Sequence, residues 1–207
     1  MKKKFVVTGI GTDVGKTVVS AILAEALQAT YWKPIQAGDL DNSDSIKISS
    51  LTEKVNVLPE AFRLSQPMSP HAAAQIDGIR IDSSDLVIPE VKGSLVIEGA
   101  GGLMVPINTE GLTYADLFQR WELPVIVVSR HYLGSINHTL MTVEVLKTRR
   151  ISIMGIIFVG DENQDTESII LKSSGLKMLA RIPLIDRVNK AFIKEQAAST
   201  QIKYSFI

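Results

Sequence analysis

The strongest constraint on this chain lies near its amino terminus. There the apolar run Phe5 to Thr8 meets Gly9-Ile10-Gly11-Thr12-Asp13-Val14-Gly15-Lys16-Thr17, and a helical pattern follows to about Leu27. Strand, glycine loop and helix in that order are how a parallel α/β sheet presents backbone N–H groups to a phosphate. The loop supplies several converging donors, and the helix dipole adds favourable potential. Lys16 is expected to neutralise the β- and γ-phosphates, and the Thr17 hydroxyl to reach Mg²⁺. Five residues separate Gly9 from Gly15 instead of the usual four. The loop is therefore a variant of the phosphate-binding motif.

The rest of the chain reads as strands alternating with helices. Apolar, β-rich runs predict strands over Ala29 to Trp32, Ser94 to Glu98, Val125 to Ser129, Ile153 to Phe158 and Met178 to Ile182. Amphipathic stretches predict helices over Ser43 to Leu51, Tyr114 to Trp121, Ser135 to Arg149 and Asp165 to Ser173. The expected fold is one α/β domain over residues 1–207, P-loop NTPase-like, in three layers around a mostly parallel central sheet. Right-handed crossovers place the glycine loop and the Glu98 strand end on one rim. Residues 52–93 are broken by Pro59, Pro67, Pro70 and Pro89 and predict two short helices and loops. Gly99 to Thr113, with its glycines and Pro106, predicts a loop next to the site.

Composition narrows the possible partners. Lys and Arg number 22 against 22 Asp and Glu, so no overall positive field draws the chain to nucleic acid or to a membrane, and neither partner is expected. The Lys2-Lys3-Lys4 run precedes too short an apolar stretch for a signal peptide, and a cytoplasmic location is expected. The chain has no cysteine, which excludes disulfides, thiolate metal sites and a Cys nucleophile.

Three further residues are candidates for the phosphate rim. Glu98 closes the buried run Leu95-Val96-Ile97, where a carboxylate is costly unless paired or metal-bound, and a metal role is expected. Asp44, within Asp41-Asn42-Ser43-Asp44, reads equally as a helix cap or a metal ligand. Lys33 follows the second strand and reads either as a cation facing the loop or as a surface lysine. His71 is a lone histidine and is assigned no role.

Taken in order, Thr8 to Thr17, Lys33-Pro34-Ile35-Gln36-Ala37-Gly38, Asn42-Ser43-Asp44, Ser69-Pro70-His71 and Glu98-Gly99-Ala100-Gly101-Gly102 resemble the dethiobiotin synthetase family. The resemblance continues through Leu123-Pro124-Val125, Gly134-Ser135-Ile136-Asn137-His138 and Ile182-Pro183. It implies an ATP- and Mg²⁺-dependent ligase that turns 7,8-diaminononanoate and CO2 into dethiobiotin. The route runs through a carbamate and a carbamic-phosphoric anhydride, with release of ADP and phosphate.

By position, the resemblance implies that Lys16, Lys33 and Thr12 act in catalysis. Gly11, Thr12, Asp13, Val14, Gly15, Lys16, Thr17, Glu98 and Pro183 then hold the nucleotide. Thr12, Lys33, Ala37, Gly99, Gly101, Gly102 and Asn137 contact the substrate, and Thr17, Asp44 and Glu98 the metal. It also implies a homodimer with its sites at the interface, where the helix opening at Gly134 to Asn137 receives the substrate carboxylate of the partner's site.

Three positions depart from the family pattern. Ala37 replaces a Ser or Thr, Asp13 a Glu, and Val159 an Asn that reads the adenine edge, a function for which Asn163 is the available substitute. The rival reading is a partition-type ATPase of the variant P-loop group. That group carries an extra lysine where this chain has Gly11.

Overall fold

The computed structural model describes residues 2–199; Met1 and residues 200–207 of the expected domain lie outside the described residues. In chain order the elements are β1 (Lys4–Gly9), α1 (Lys16–Leu27), β2 (Thr30–Trp32), β3 (Ile35–Ala37), α2 (Asp44–Leu51), β4 (Asn56–Val57), β5 (Phe62–Leu64) and α3 (Pro70–Asp77). They continue with β6 (Leu95–Gly102), α4 (Tyr114–Trp121), β7 (Val125–Arg130), α5 (Ser135–Thr148), β8 (Ile153–Val159), α6 (Gln164–Ser174), β9 (Met178–Ile182) and α7 (Lys190–Ala197).

Seven strands form one sheet in the order β4-β2-β6-β1-β7-β8-β9, and every neighbouring pair is parallel. Their residues are apolar on both faces because helices cover both: Phe5, Val6 and Val7 of β1 and Val125 to Val128 of β7 are fully buried. From β1 the chain first builds toward β2 and later returns to add β7 on the other side. With right-handed crossovers, that reversal puts α1, which packs on α2 and α7, on the opposite face from the α5–α6 pair. The turn-over point is β1 itself, so the crevice at its carboxyl end is where such a sheet takes ligands.

Helix boundaries follow local chemistry. Ser43 caps α2 by accepting the Ile46 N–H, Thr113 and Asp116 form a reciprocal capping box on α4, and Gly175 closes α6 in the left-handed conformation.

Two expectations require correction. Gly99 to Gly102 is not loop but the end of β6, which shifts register so that Gly102 pairs with Gly9; small residues let the two strands converge beside the phosphate loop. Residues 52–93 hold one α-helix, α3, and a single 3₁₀ turn at Ser83–Asp85, together with strands β4 and β5. β5 pairs with β3 in a separate two-stranded parallel sheet. Strands of two or three residues carry no legible periodicity, since their pairing is decided by distant chain. Among the described residues no helix is long and apolar enough to cross a membrane.

Candidate active site

The loop after β1 is shaped by two left-handed residues, Asp13 at φ 56° and Gly15 at φ 92°. Gly15 is the residue that admits this without strain, and it lies so near Val159 of β8 that a Cβ would meet the valine methyls at 3.3 Å. The loop opens α1 with Gly15 as the N-cap and no side-chain cap, leaving the helix terminus to an external acceptor. Lys16 is buried, and its ammonium folds back to donate to the Gly11 carbonyl at 2.7 Å. Burial is the main influence on it and lowers its pKa to about 8, against the pull of Glu98.

Beside the loop, the residue after β2, the start of α2 and the middle of β6 bring together Lys33, Asp44 and Glu98; Glu98 does not end its strand as expected, because the pairing of Gly102 with Gly9 carries β6 onward. The Lys33 ammonium pairs with Asp44, lies 3.3 Å from Glu98 Oε1 and donates to the Gly99 carbonyl at 3.4 Å. Burial opposes the charge on Lys33, but Glu98 and Asp44 together outweigh it and hold the ammonium pKa above the ordinary lysine value. Burial also opposes the charge on Asp44; Lys33 outweighs it and keeps that carboxyl below its usual range. Thr17 donates to Glu98 Oε1 at 2.9 Å, and the Tyr31 hydroxyl donates to Oε2 at 2.9 Å. Burial, reinforced by Glu98, pushes the Tyr31 pKa well up, so its hydroxyl stays protonated as a donor.

These groups open into one cleft of about 730 Å³. Thr12 to Val18 form one wall, and Lys33, Ala37, Asp44 and Glu98 another. Ala100, Gly101 and Val105 form a third, with Pro67 to Pro70 from the loop before α3 at the edge. Gly101, at φ 61°, brings β6 so close to the loop that a Cβ there would lie 3.8 Å from the Thr12 hydroxyl and 2.9 Å from Val105.

Most of the residues expected at the site thus share one cleft. Gly11 and Gly99 participate through their carbonyls, and Gly102 through its pairing with Gly9. Asn137 and Pro183 stand outside it, exposed on the first turn of α5 and after β9. Asn163 caps α6 by accepting the Thr166 N–H, so its side chain is already engaged.

Three participants were not singled out from the sequence. Tyr31 is hidden in a short apolar strand. Gln36 bridges the Asp44 N–H, at 3.2 Å, and the Gly38 carbonyl, at 2.9 Å. Arg130, at the end of β7, donates to the Asp13 carbonyl at 3.1 Å across 117 residues. Gln36 sits inside the Lys33 to Gly38 motif, which marks it; Tyr31 and Arg130 carry no such signal.

Comparison with known proteins gives a consistent picture. The profile of the AAA domain family matches residues 3–191. The chain is 54% identical over 199 residues to the ATP-dependent dethiobiotin synthetase of Christiangramia forsetii, covering 95% of each. It is 51% identical to that of Rhodopseudomonas palustris strain BisB18, covering 92% of this chain and 91% of the relative. Among solved structures, a ParA family ATPase from Chlorobium tepidum superposes with a TM-score of 0.62 over 99% of both chains, at 15% identity. The cell division ATPase MinD of Pyrococcus furiosus superposes at 0.57 with 15% identity, over 99% of this chain and 95% of that one. At such identities the likeness speaks for the fold alone: a P-loop NTPase-like α/β sheet.

Proposed function

The chain belongs to the ATP-dependent dethiobiotin synthetase family within the AAA domain group, and on that premise we propose how its own residues carry the ligase reaction. The enzyme is an ATP-dependent ligase of biotin biosynthesis. The substrates are 7,8-diaminononanoate, CO2 and ATP. The observation that supports this reading is the convergence of Lys16, Lys33, Thr17, Asp44 and Glu98 on one cleft at the end of β1 and β6.

Three negative species meet in such a reaction: a carbamate, a triphosphate and the carboxylates of the site. Phosphoryl transfer to a carbamate oxygen needs positioning and charge neutralisation more than covalent help. The backbone donors of the loop cradle the phosphates, and Lys16 leaves the Gly11 carbonyl to meet the β- and γ-phosphates. Lys33, fixed between β2 and the end of β6, faces the carbamate from the opposite wall. Thr12, next to Gly101, holds the carbamate against that wall, and the second amine then attacks the mixed anhydride to close the cyclic urea with loss of phosphate. Ala37 and the backbone of Gly99 to Gly102 line the path of the diamine.

The fit of Mg²⁺ follows from the donor set. Asp44 and Glu98 already pair with a cation, the Lys33 ammonium, and Thr17 donates to the same Glu98 oxygen. Two carboxylates and a hydroxyl are hard oxygen donors of the kind Mg²⁺ takes, with phosphate and water completing its shell. Among the described residues no group of three or more His, Cys, Asp or Glu is placed to hold a metal, which favours an ion that arrives with the nucleotide. When bound, Mg²⁺ supplies neutralisation of phosphate charge.

A homodimer completes the site in this reading. Support comes from α5, whose N-cap Gly134 offers no side-chain cap, and from the exposed apolar residues Tyr132, Leu133, Ile136 and Met141 around it. Asn137 lies on that exposed turn, where it would meet a partner's substrate and not its own.

The test is direct. Purified protein with diamine, bicarbonate, Mg²⁺ and ATP should form ADP and dethiobiotin together, seen by mass spectrometry, and Lys16→Ala should abolish both. ATP hydrolysis that proceeds equally without diamine would overturn the reading in favour of a partition-type ATPase.

A further inference from the structure

Glu98 is 1% exposed, and each of its oxygens has its own partners. Oε1 accepts from Thr17 at 2.9 Å and faces Lys33 at 3.3 Å, while Oε2 accepts from the Tyr31 hydroxyl at 2.9 Å. Tyr31 is the middle residue of β2, paired in register with Val96 of β6, and its side chain is fully buried. We propose that Tyr31 is a positioning residue for the metal site: its hydroxyl occupies Glu98 Oε2 and so turns Oε1 toward the position shared by Thr17, Lys33 and an incoming divalent cation. The inference rests on the reading of Glu98 as a metal ligand.

The physical basis is the free torsion of a carboxylate. A glutamate bonded through one oxygen retains rotation about its last bond and presents either oxygen, or both, to a cation. Tyrosine has a rigid ring on two torsions, and the sheet register sets where β2 delivers its hydroxyl. Partners that orient a metal ligand in this way typically account for 10- to 100-fold in metal affinity. The burial of Tyr31 also excludes water as a substitute donor, so nothing replaces the hydroxyl when it is removed.

The experiment is a titration of Mn²⁺ into the intact protein with ADP, read by electron paramagnetic resonance, for wild type, Tyr31→Phe, Glu98→Gln and the double variant, with melting temperatures recorded alongside. Tyr31→Phe should weaken Mn²⁺ binding about tenfold. In the Glu98→Gln background the same change should have no further effect, because the route through the carboxylate is already gone. A wild-type Mn²⁺ affinity that Glu98→Gln leaves unchanged would sink the ligand reading itself. If Glu98→Gln weakens binding but Tyr31→Phe does not, the ligand reading stands and the positioning role falls. A loss of equal size in both backgrounds would also overturn it. Should Tyr31→Phe alone fail to fold, the double variant against Glu98→Gln keeps the proposal falsifiable: weaker binding in the double variant refutes it.

Discussion

The Lys33 ammonium lies 3.3 Å from Glu98 Oε1 while it pairs with Asp44 on its other side. A carboxylate from the middle of a buried strand and one from a helix start are thus bridged by one lysine. Desolvation alone would lower the pKa of Lys33; the pair of acids reverses that. In the proposed cycle the same two acids take a divalent cation, and the lysine turns to the carbamate.

Removing the bridge should therefore destabilise the fold and alter its response to metal. Lys33→Met leaves Glu98 buried without its cation, which typically costs about 3–5 kcal/mol. Chemical denaturation should show a loss in that range. Millimolar Mg²⁺ should raise the melting temperature of the variant more than that of wild type, since the ion fills the position that Lys33 held. An equal Mg²⁺ response in both proteins would count against the shared position.

Lys16 predicts a pH dependence. Burial lowers its pKa to about 8 in the folded protein, below the ordinary lysine value of 10.5. Between those values the unfolded chain holds a proton that the folded chain lacks, so this group's contribution to stability rises with pH across that window. ATP brings negative charge and restores the proton, so ATP binding should take up protons above pH 8 and weaken as pH rises further. Calorimetry at pH 9 in two buffers of different ionisation heat should report the uptake. Lys16→Met should abolish it.

Arg130 holds the Asp13 carbonyl from the neighbouring strand end. Asp13 is a non-glycine residue in the left-handed region, and this bond helps keep it there. A hydrogen bond from a charged donor contributes about 1.5–3 kcal/mol at most, and less at an exposed position. Arg130→Ala should raise the KM for ATP roughly tenfold or less, with kcat little changed. The melting temperature should move by no more than about 6 °C. A fall in kcat at unchanged KM would show that Arg130 acts elsewhere.

Ala37 lines the cleft at a position where the family resemblance leads us to expect a hydroxyl. Ala37→Ser adds one donor on the substrate side without added branching. A net hydrogen bond is worth about 0.5–1.5 kcal/mol, so the KM for the diamine should fall about two- to tenfold. Steady-state kinetics at saturating ATP would measure it, and an unchanged KM would show that the serine finds no partner there.

What was legible in the sequence is what local chain chemistry dictates. β1, the loop and α1 are contiguous, and their apolar run, glycine spacing and helical period require no distant partner to be read. The same holds for α4, with its capping box, and for Glu98 as a charge within a buried strand, although β6 runs on past it to Gly102. The motif order, read as a resemblance, pointed to the family that the comparisons bear out.

The tertiary structure decided what depends on pairing. β3 and β5 are three residues each and exist because they lie side by side. Gly99 to Gly102, rich in the residue that most favours loops, is strand because Gly9 draws Gly102 into register. Asp44 had two readings on sequence; the fold makes Ser43 the cap and turns Asp44 to Lys33. Tyr31 lies within an expected strand and Arg130 just past one, and nothing local marks either. They reach the site across 67 and 117 residues only because parallel strands deliver their carboxyl ends to one rim. A side chain's chemistry is written locally, but the atom that receives it is set by the sheet.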